Sequence, residues 1–119
     1  MAYAVNFSPE FKAWWDGQER DLKKSILRPM RLLEEHGHQL SRPYADTLEG
    51  SSLTNLKELR VQHRGEPYRI LYAFDPKREA LLLIGGNKAG DKRWYKRMIP
   101  LAEKIFAAHL EALDKEDKP

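Results

Sequence analysis

LKELRVQHRGEPYRILYAFDPKREALLLIGGNKAGDKRWY, residues 56–95, is the stretch whose reading decides the fold. Its first segment, residues 57–63, alternates: Lys57, Leu59, Val61 and His63 fall on one side of a strand, and Glu58, Arg60 and Gln62 on the other. Arg64-Gly65-Glu66-Pro67 reads as a turn and residues 68–74, Tyr-Arg-Ile-Leu-Tyr-Ala-Phe, as a second strand, so the two form a hairpin. Asp75-Pro76-Lys77-Arg78 is the next turn. Residues 80–84 are apolar on both faces, as a central strand is. These links are too short for crossover connections, so antiparallel pairing is expected.

Working outward, residues 3–7 suit a short first strand, and Ser8-Pro9-Glu10 is a helix start: Ser as N-cap, Pro in the first turn, a carboxylate near the positive end of the dipole. Phe11, Trp14 and Trp15 share a stripe, and Gly17 ends or bends the segment. Leu22, Ile26, Met30 and Leu33 recur at helical spacing until Gly37, with Pro29 inside to kink or divide the helix. The spacing predicts an α-hairpin or a bent helix over residues 9–36. Residues 38–55 lack periodicity and read as a connecting loop. Met98, Leu101, Ala102, Ile105, Phe106, Leu110 and Leu113 mark a C-terminal helix with Pro100 near its start. The order predicts an α+β fold, one domain over residues 1–113: a small antiparallel sheet of about four strands, two N-terminal helices and a C-terminal helix. The helices should cover one face and leave the other partly open, and residues 114–119 form a frayed, charged tail.

The net charge of +3 conceals an asymmetry. Residues 57–97 hold 11 Lys or Arg against 5 Asp or Glu, a net of +6, whereas both flanking segments are slightly acidic. That middle segment suits a polyanionic partner. With no cysteine, disulfide scaffolds, thiolate catalysis and zinc fingers are excluded. The longest apolar run, residues 80–84, is far too short to span a bilayer, so a cytoplasmic protein without membrane association is expected.

The loop Gly85-Gly86-Asn87-Lys88-Ala89-Gly90-Asp91-Lys92 is not a nucleotide-binding P-loop, because Asp91 and Lys92 stand where Lys and Ser or Thr must follow the second glycine. The histidines His36 and His38 lack metal-ligand companions, and no metal or cofactor is expected. What remains is Glu58, Arg60, Arg69, Lys88, Lys92 and Tyr95. Cleaving RNA through its own 2′-hydroxyl requires a base, charge stabilisation on the phosphorane and a proton for the 5′-oxygen, and it needs no metal. Arginines on adjacent strands would clamp the phosphate, loop lysines add charge, a carboxylate or a neutralised lysine serves as base, and Tyr95 donates a proton or stacks on a nucleobase.

The series Leu56-Lys57-Glu58-Leu59-Arg60, residues 68–74, Gly85-Gly86-Asn87-Lys88 and Gly90-Asp91-Lys92-Arg93-Trp94-Tyr95 resembles the toxins of the RelE/ParE superfamily, most of all its HigB-like, phage-derived branch. The resemblance implies a toxin of a type II toxin–antitoxin pair: a metal-independent endoribonuclease that cuts mRNA on the ribosome and is silenced by a protein antitoxin, commonly of helix-turn-helix type. Catalytic roles fall on Arg69, which would stabilise the scissile phosphate, and on Lys88, Tyr95, Arg60 and Glu58. Lys57, His63, Arg64, Lys92, Arg93 and Trp94 are candidate RNA contacts. RelE-like enzymes carry lysines where this chain has Glu58 and Arg60, which leaves the base open between Glu58 and His63. ParE-like members with the same fold poison DNA gyrase instead, and a non-enzymatic nucleic-acid-binding protein is the third reading.

Overall fold

The computed structural model describes residues 2–53 and 55–116. The elements are β1 (Val5–Phe7), α1 (Pro9–Asp16), α2 (Arg20–His36), a 3₁₀ turn (Gly37–Gln39), β2 (Ala45–Thr47), β3 (Lys57–His63), β4 (Glu66–Phe74), β5 (Ala80–Asn87) and α3 (Trp94–Glu116). They form one sheet in the order β1-β5-β4-β3-β2. The fold is α+β, as expected, but the sheet has five strands and is mixed, because β1 runs parallel to β5. Short links force antiparallel pairing only between strands adjacent in sequence, and β1 pairs with a strand some seventy residues away. β2 lies inside the segment read as a loop; its three residues pair with Leu59, Glu58 and Lys57 and are too few to show an alternating pattern.

Helices cover both faces, which corrects the one-sided packing expected. On one face Phe11, Leu22, Ile26, Met30 and Leu33 of α1 and α2 pack on Leu59, Val61, Ile70, Tyr72 and Leu82. On the other, Trp94, Ala102, Ile105 and Phe106 of α3 pack on Leu71, Ala73, Leu81 and Leu83. α3 lies over β4 and β5, which leaves Arg60 on the same face of β3 part-exposed beside it.

Local chemistry explains the boundaries. The Ser8 hydroxyl accepts the Phe11 N–H at 3.0 Å and donates to the Leu83 carbonyl at 3.0 Å, so this N-cap also ties α1 to the sheet. Pro29 does not divide α2, which continues to His36; the break in the α-hairpin falls at residues 17–19. The β3–β4 turn is two residues rather than four: Arg64 and Gly65 have φ of 51° and 78°, as a type I′ turn requires, and Glu66 and Pro67 belong to the ladder. α3 starts at Trp94, ahead of the apolar stripe, so Pro100 lies inside the helix, and it continues to Glu116. Of the predicted tail, residues 117–119 lie outside the described residues. The His109 ring nitrogen, 2.9 Å from the buried Asp75, fastens α3 to the β4–β5 turn.

Glu103 of α3 holds the loop ahead of β3, accepting from the Ser51 hydroxyl at 2.8 Å and from the Ser52 N–H and hydroxyl at 2.6 and 2.8 Å. Those bonds, Ser51 first, hold its carboxyl below the ordinary 4.5. The folded form therefore gains stability above that value and loses it as pH falls through the lowered one. The protection of the Ser52 amide against hydrogen exchange should thus be lost as pH falls through that lowered value. Glu103→Gln should show the weaker protection already at neutral pH, and its protection should then no longer depend on pH.

Candidate active site

Glu58 and Arg60, two apart on β3, point to the α3 side of the sheet, and the ladder places Arg69 of β4 directly opposite Arg60. Like charges in that position repel. The Glu58 carboxylate resolves the conflict. Its Oε2 accepts from Arg60 Nη1 at 2.9 Å, and its Oε1 lies 3.6 Å from Arg69 Nε. Glu58 and Arg69 are only 3% and 6% exposed, whereas the Arg60 side chain is 26% exposed. Arg69 Nη1 donates to the Tyr68 carbonyl at 2.9 Å, but its buried Nε has no partner within hydrogen-bond range. An orphaned donor of that kind is uncommon in folded proteins.

Tyr95, in the first turn of α3, closes the cluster from above. Its hydroxyl donates to Glu58 Oε1 at 2.5 Å. Burial, the bond to Glu58 and the carboxylate's charge push the phenol up to about 12, against a smaller opposing effect of Arg69, so it stays protonated at neutral pH. Lys88 Nζ stands 5.8 Å from the centre of the Tyr95 ring, a cation–π contact. Pro43, Arg60, Val61, Gln62 and Arg69 line a depression of about 230 Å³ beside these groups.

The chain places Tyr95 through its neighbours. Asp91 accepts the Arg93 N–H at 3.1 Å and pairs with Arg97 at 2.6 Å, which fastens the start of α3. Trp94 is 2% exposed and its indole lies over Gly86, where an added Cβ would come within 2.8 Å of the ring nitrogen. Only glycine permits that approach.

Glu58, Arg60, Arg69, Lys88 and Tyr95 are therefore brought together. The other candidates are not. Lys57 and His63 project to the opposite face, where Lys57 donates to the Thr47 hydroxyl at 3.1 Å and His63 Nδ1 lies 2.7 Å from the Ser25 hydroxyl. His63 is thus removed as a base. Arg64 sits in the turn, paired with Asp21 at 2.8 Å. Trp94 belongs to the core and offers a nucleobase no surface. Lys92 and Arg93 are exposed on the loop between Lys88 and α3. Gln62 was legible from the same alternation that gives Arg60, but Pro43 comes from the aperiodic loop and had no signal. Among the described residues no group of three or more His, Asp or Glu is placed to hold a metal ion, and no helix is long and apolar enough to cross a membrane.

Residues 13–107, from the second half of α1 to the middle of α3, match the phage-derived Gp49-like protein family. The chain belongs to this family. Its relatives include two Mycobacterium tuberculosis proteins named as toxins. HigB3 is 45% identical over 101 residues, 84% of this chain and 87% of that protein. HigB2 is 41% identical over 109 residues, 90% of this chain but 54% of that protein, so the chain spans about half of the longer relative. A solved structure of a mutant E. coli toxin RelE in the free state aligns with a TM-score of 0.55 at 14% identity, covering 79% of this chain and 92% of the other; it shows a shared fold. This Gp49-like protein is thus a relative of the HigB-named proteins and shares its fold with RelE, in keeping with the resemblance of its motifs.

Proposed function

We propose that this protein is the toxin of a type II toxin–antitoxin pair and a metal-independent endoribonuclease that cuts mRNA, acting in the cytoplasm on the ribosome. The observation that carries this reading is the meeting of Arg60, Arg69 and Tyr95 around one buried carboxylate, with Lys88 against the Tyr95 ring and the two arginines lining an open depression. Transfer of the 2′-oxygen to phosphorus builds negative charge on the phosphorane, and preorganised cations in a partly dry site stabilise it more than they stabilise the substrate. Arg60 and Lys88, the more open cations, meet the phosphate first; Arg69 lies behind with its unpartnered Nε. The surrounding Lys92 and Arg93 draw in the RNA backbone. The partner that silences the protein is a cognate antitoxin, for which a helix-turn-helix protein is the leading type. The whole of residues 1–113 acts as one toxin domain.

The relatives' names support the toxin reading, and the cluster supports the chemistry. Induction in cells, with new 5′ ends mapped on transcripts and gyrase-dependent DNA breaks scored in parallel, is the test. Fresh cuts within messages are expected. Broken DNA with intact messages would instead make this a gyrase poison, and neither lesion would leave a non-enzymatic nucleic-acid binder.

A further inference from the structure

The Arg60–Glu58–Arg69 cluster poses a difficulty: one of its two cationic charges is offset internally, and its one carboxylate is enclosed. Glu58 is 3% exposed, and its two oxygens are engaged by Arg60 and by Tyr95. A ribose hydroxyl could touch it only by displacing one of them. The Tyr95 ring is half-buried, however, and its oxygen, having given its proton to Glu58, keeps lone pairs to accept another hydrogen bond.

We propose that Tyr95 and Glu58 form a proton relay: the phenol oxygen takes the proton of the attacking 2′-hydroxyl while its own proton passes to the Glu58 carboxylate. This rests on the RNA-cleaving reading above. The O2′–H bond breaks as O2′–P forms and P–O5′ breaks, giving a 2′,3′-cyclic phosphate. The hydroxyl's proton ends on Tyr95, that of Tyr95 on Glu58, and the departing 5′-oxygen takes one from water. No phenolate is formed, which suits a phenol held well above its ordinary range.

The relay also removes the difficulty of the paired arginines. In the resting site Glu58 offsets one of the two guanidinium charges, so the three side chains together carry +1. Protonating Glu58 raises them to +2 in the step that places negative charge on the phosphorane. The attraction is therefore stronger in the transition state than in the ground state, which is what accelerates a reaction.

Single-turnover cleavage of a synthetic message on programmed ribosomes tests the relay, using the ordinary RNA and one whose scissile 5′-oxygen is replaced by sulfur, a group that leaves without a proton. Tyr95→Phe and Glu58→Gln should each slow the ordinary RNA by about 10²- to 10³-fold, and the double variant should be no slower than the slower single one. The sulfur RNA should not rescue Tyr95→Phe. For the parent, the rate against the D₂O fraction should be bowed, because two protons move together. Parental rates in Tyr95→Phe would overturn the relay, as would rescue by sulfur, which would make Tyr95 the acid, and as would additive losses. Should Glu58→Gln not fold, the sulfur comparison on Tyr95→Phe decides alone. If the parent cleaves neither RNA, the nuclease reading itself falls and the relay with it.

Discussion

Arg69→Ala is expected to abolish growth arrest and to lower the protein's stability at the same time. The catalytic loss follows from position: Arg69 lines the same depression as Arg60, so its guanidinium stands where charge on a phosphate would develop. Removing one such donor costs about 10²- to 10³-fold in rate. The stability loss follows from burial. As a strand cation in a basic segment, Arg69 reads from the sequence as a surface residue whose removal spares the fold, but at 6% exposure it is packed beside Glu58. Truncating one partner of a buried ion pair strands the other. Full loss of a partner costs about 3–5 kcal/mol, and Glu58 keeps Arg60 and Tyr95, so a value nearer 2–3 kcal/mol is expected. Urea unfolding measures that loss directly, and growth arrest must then be compared at matched amounts of soluble protein. Arg60→Ala is the cleaner companion, since its side chain is 26% exposed and should cost less stability for a comparable drop in cleavage. Undiminished toxicity of Arg69→Ala at equal folded concentration would remove the arginine pair from the mechanism.

How much of this was legible depended on where each signal lay. The β3–β4 hairpin and its cations lie in continuous alternation, so strand faces, and with them the pairing of Glu58 with Arg60, follow from period two. The burial of Glu58 did not follow, because it depends on Tyr95, 37 residues away, coming down on it from α3. His63 failed for the opposite reason: period two put it with Leu59 and Val61, on the face that α2 covers, and its position at the strand end outweighed that in the reading. The start of α3 was set too late because the polar residues between Trp94 and Met98 hide the first turn, and the tryptophan that anchors it looks, in sequence, like a ring free to stack.

That tryptophan carries the second large effect. Trp94→Ala should destabilise the protein by about 3–5 kcal/mol, the usual cost of emptying a buried aromatic site. Its indole is 2% exposed, sits in the α3-side core with Leu71 and Leu83, and meets the Tyr95 ring edge-on at 5.2 Å. A ring that stacked on RNA would behave differently: its removal would leave stability within about 0.5 kcal/mol and weaken RNA binding instead. Denaturant unfolding therefore separates core from contact without any assay of activity. The partner residue sharpens the test. A methyl group added at Gly86 would lie 2.8 Å from Trp94 Nε1 and 3.2 Å from two further ring atoms, so Gly86→Ala must push the indole, and with it the first turn of α3, away from the sheet. In a Trp94→Phe background the smaller ring leaves room for that methyl, and the same Gly86→Ala change should cost markedly less than it does in the parent. Such coupling, of order 1 kcal/mol, arises only between groups in contact. Additive losses would mean that Gly86 and Trp94 act separately, and the path from Gly86 through the indole to the Tyr95 hydroxyl would not be what sets the distance to Glu58.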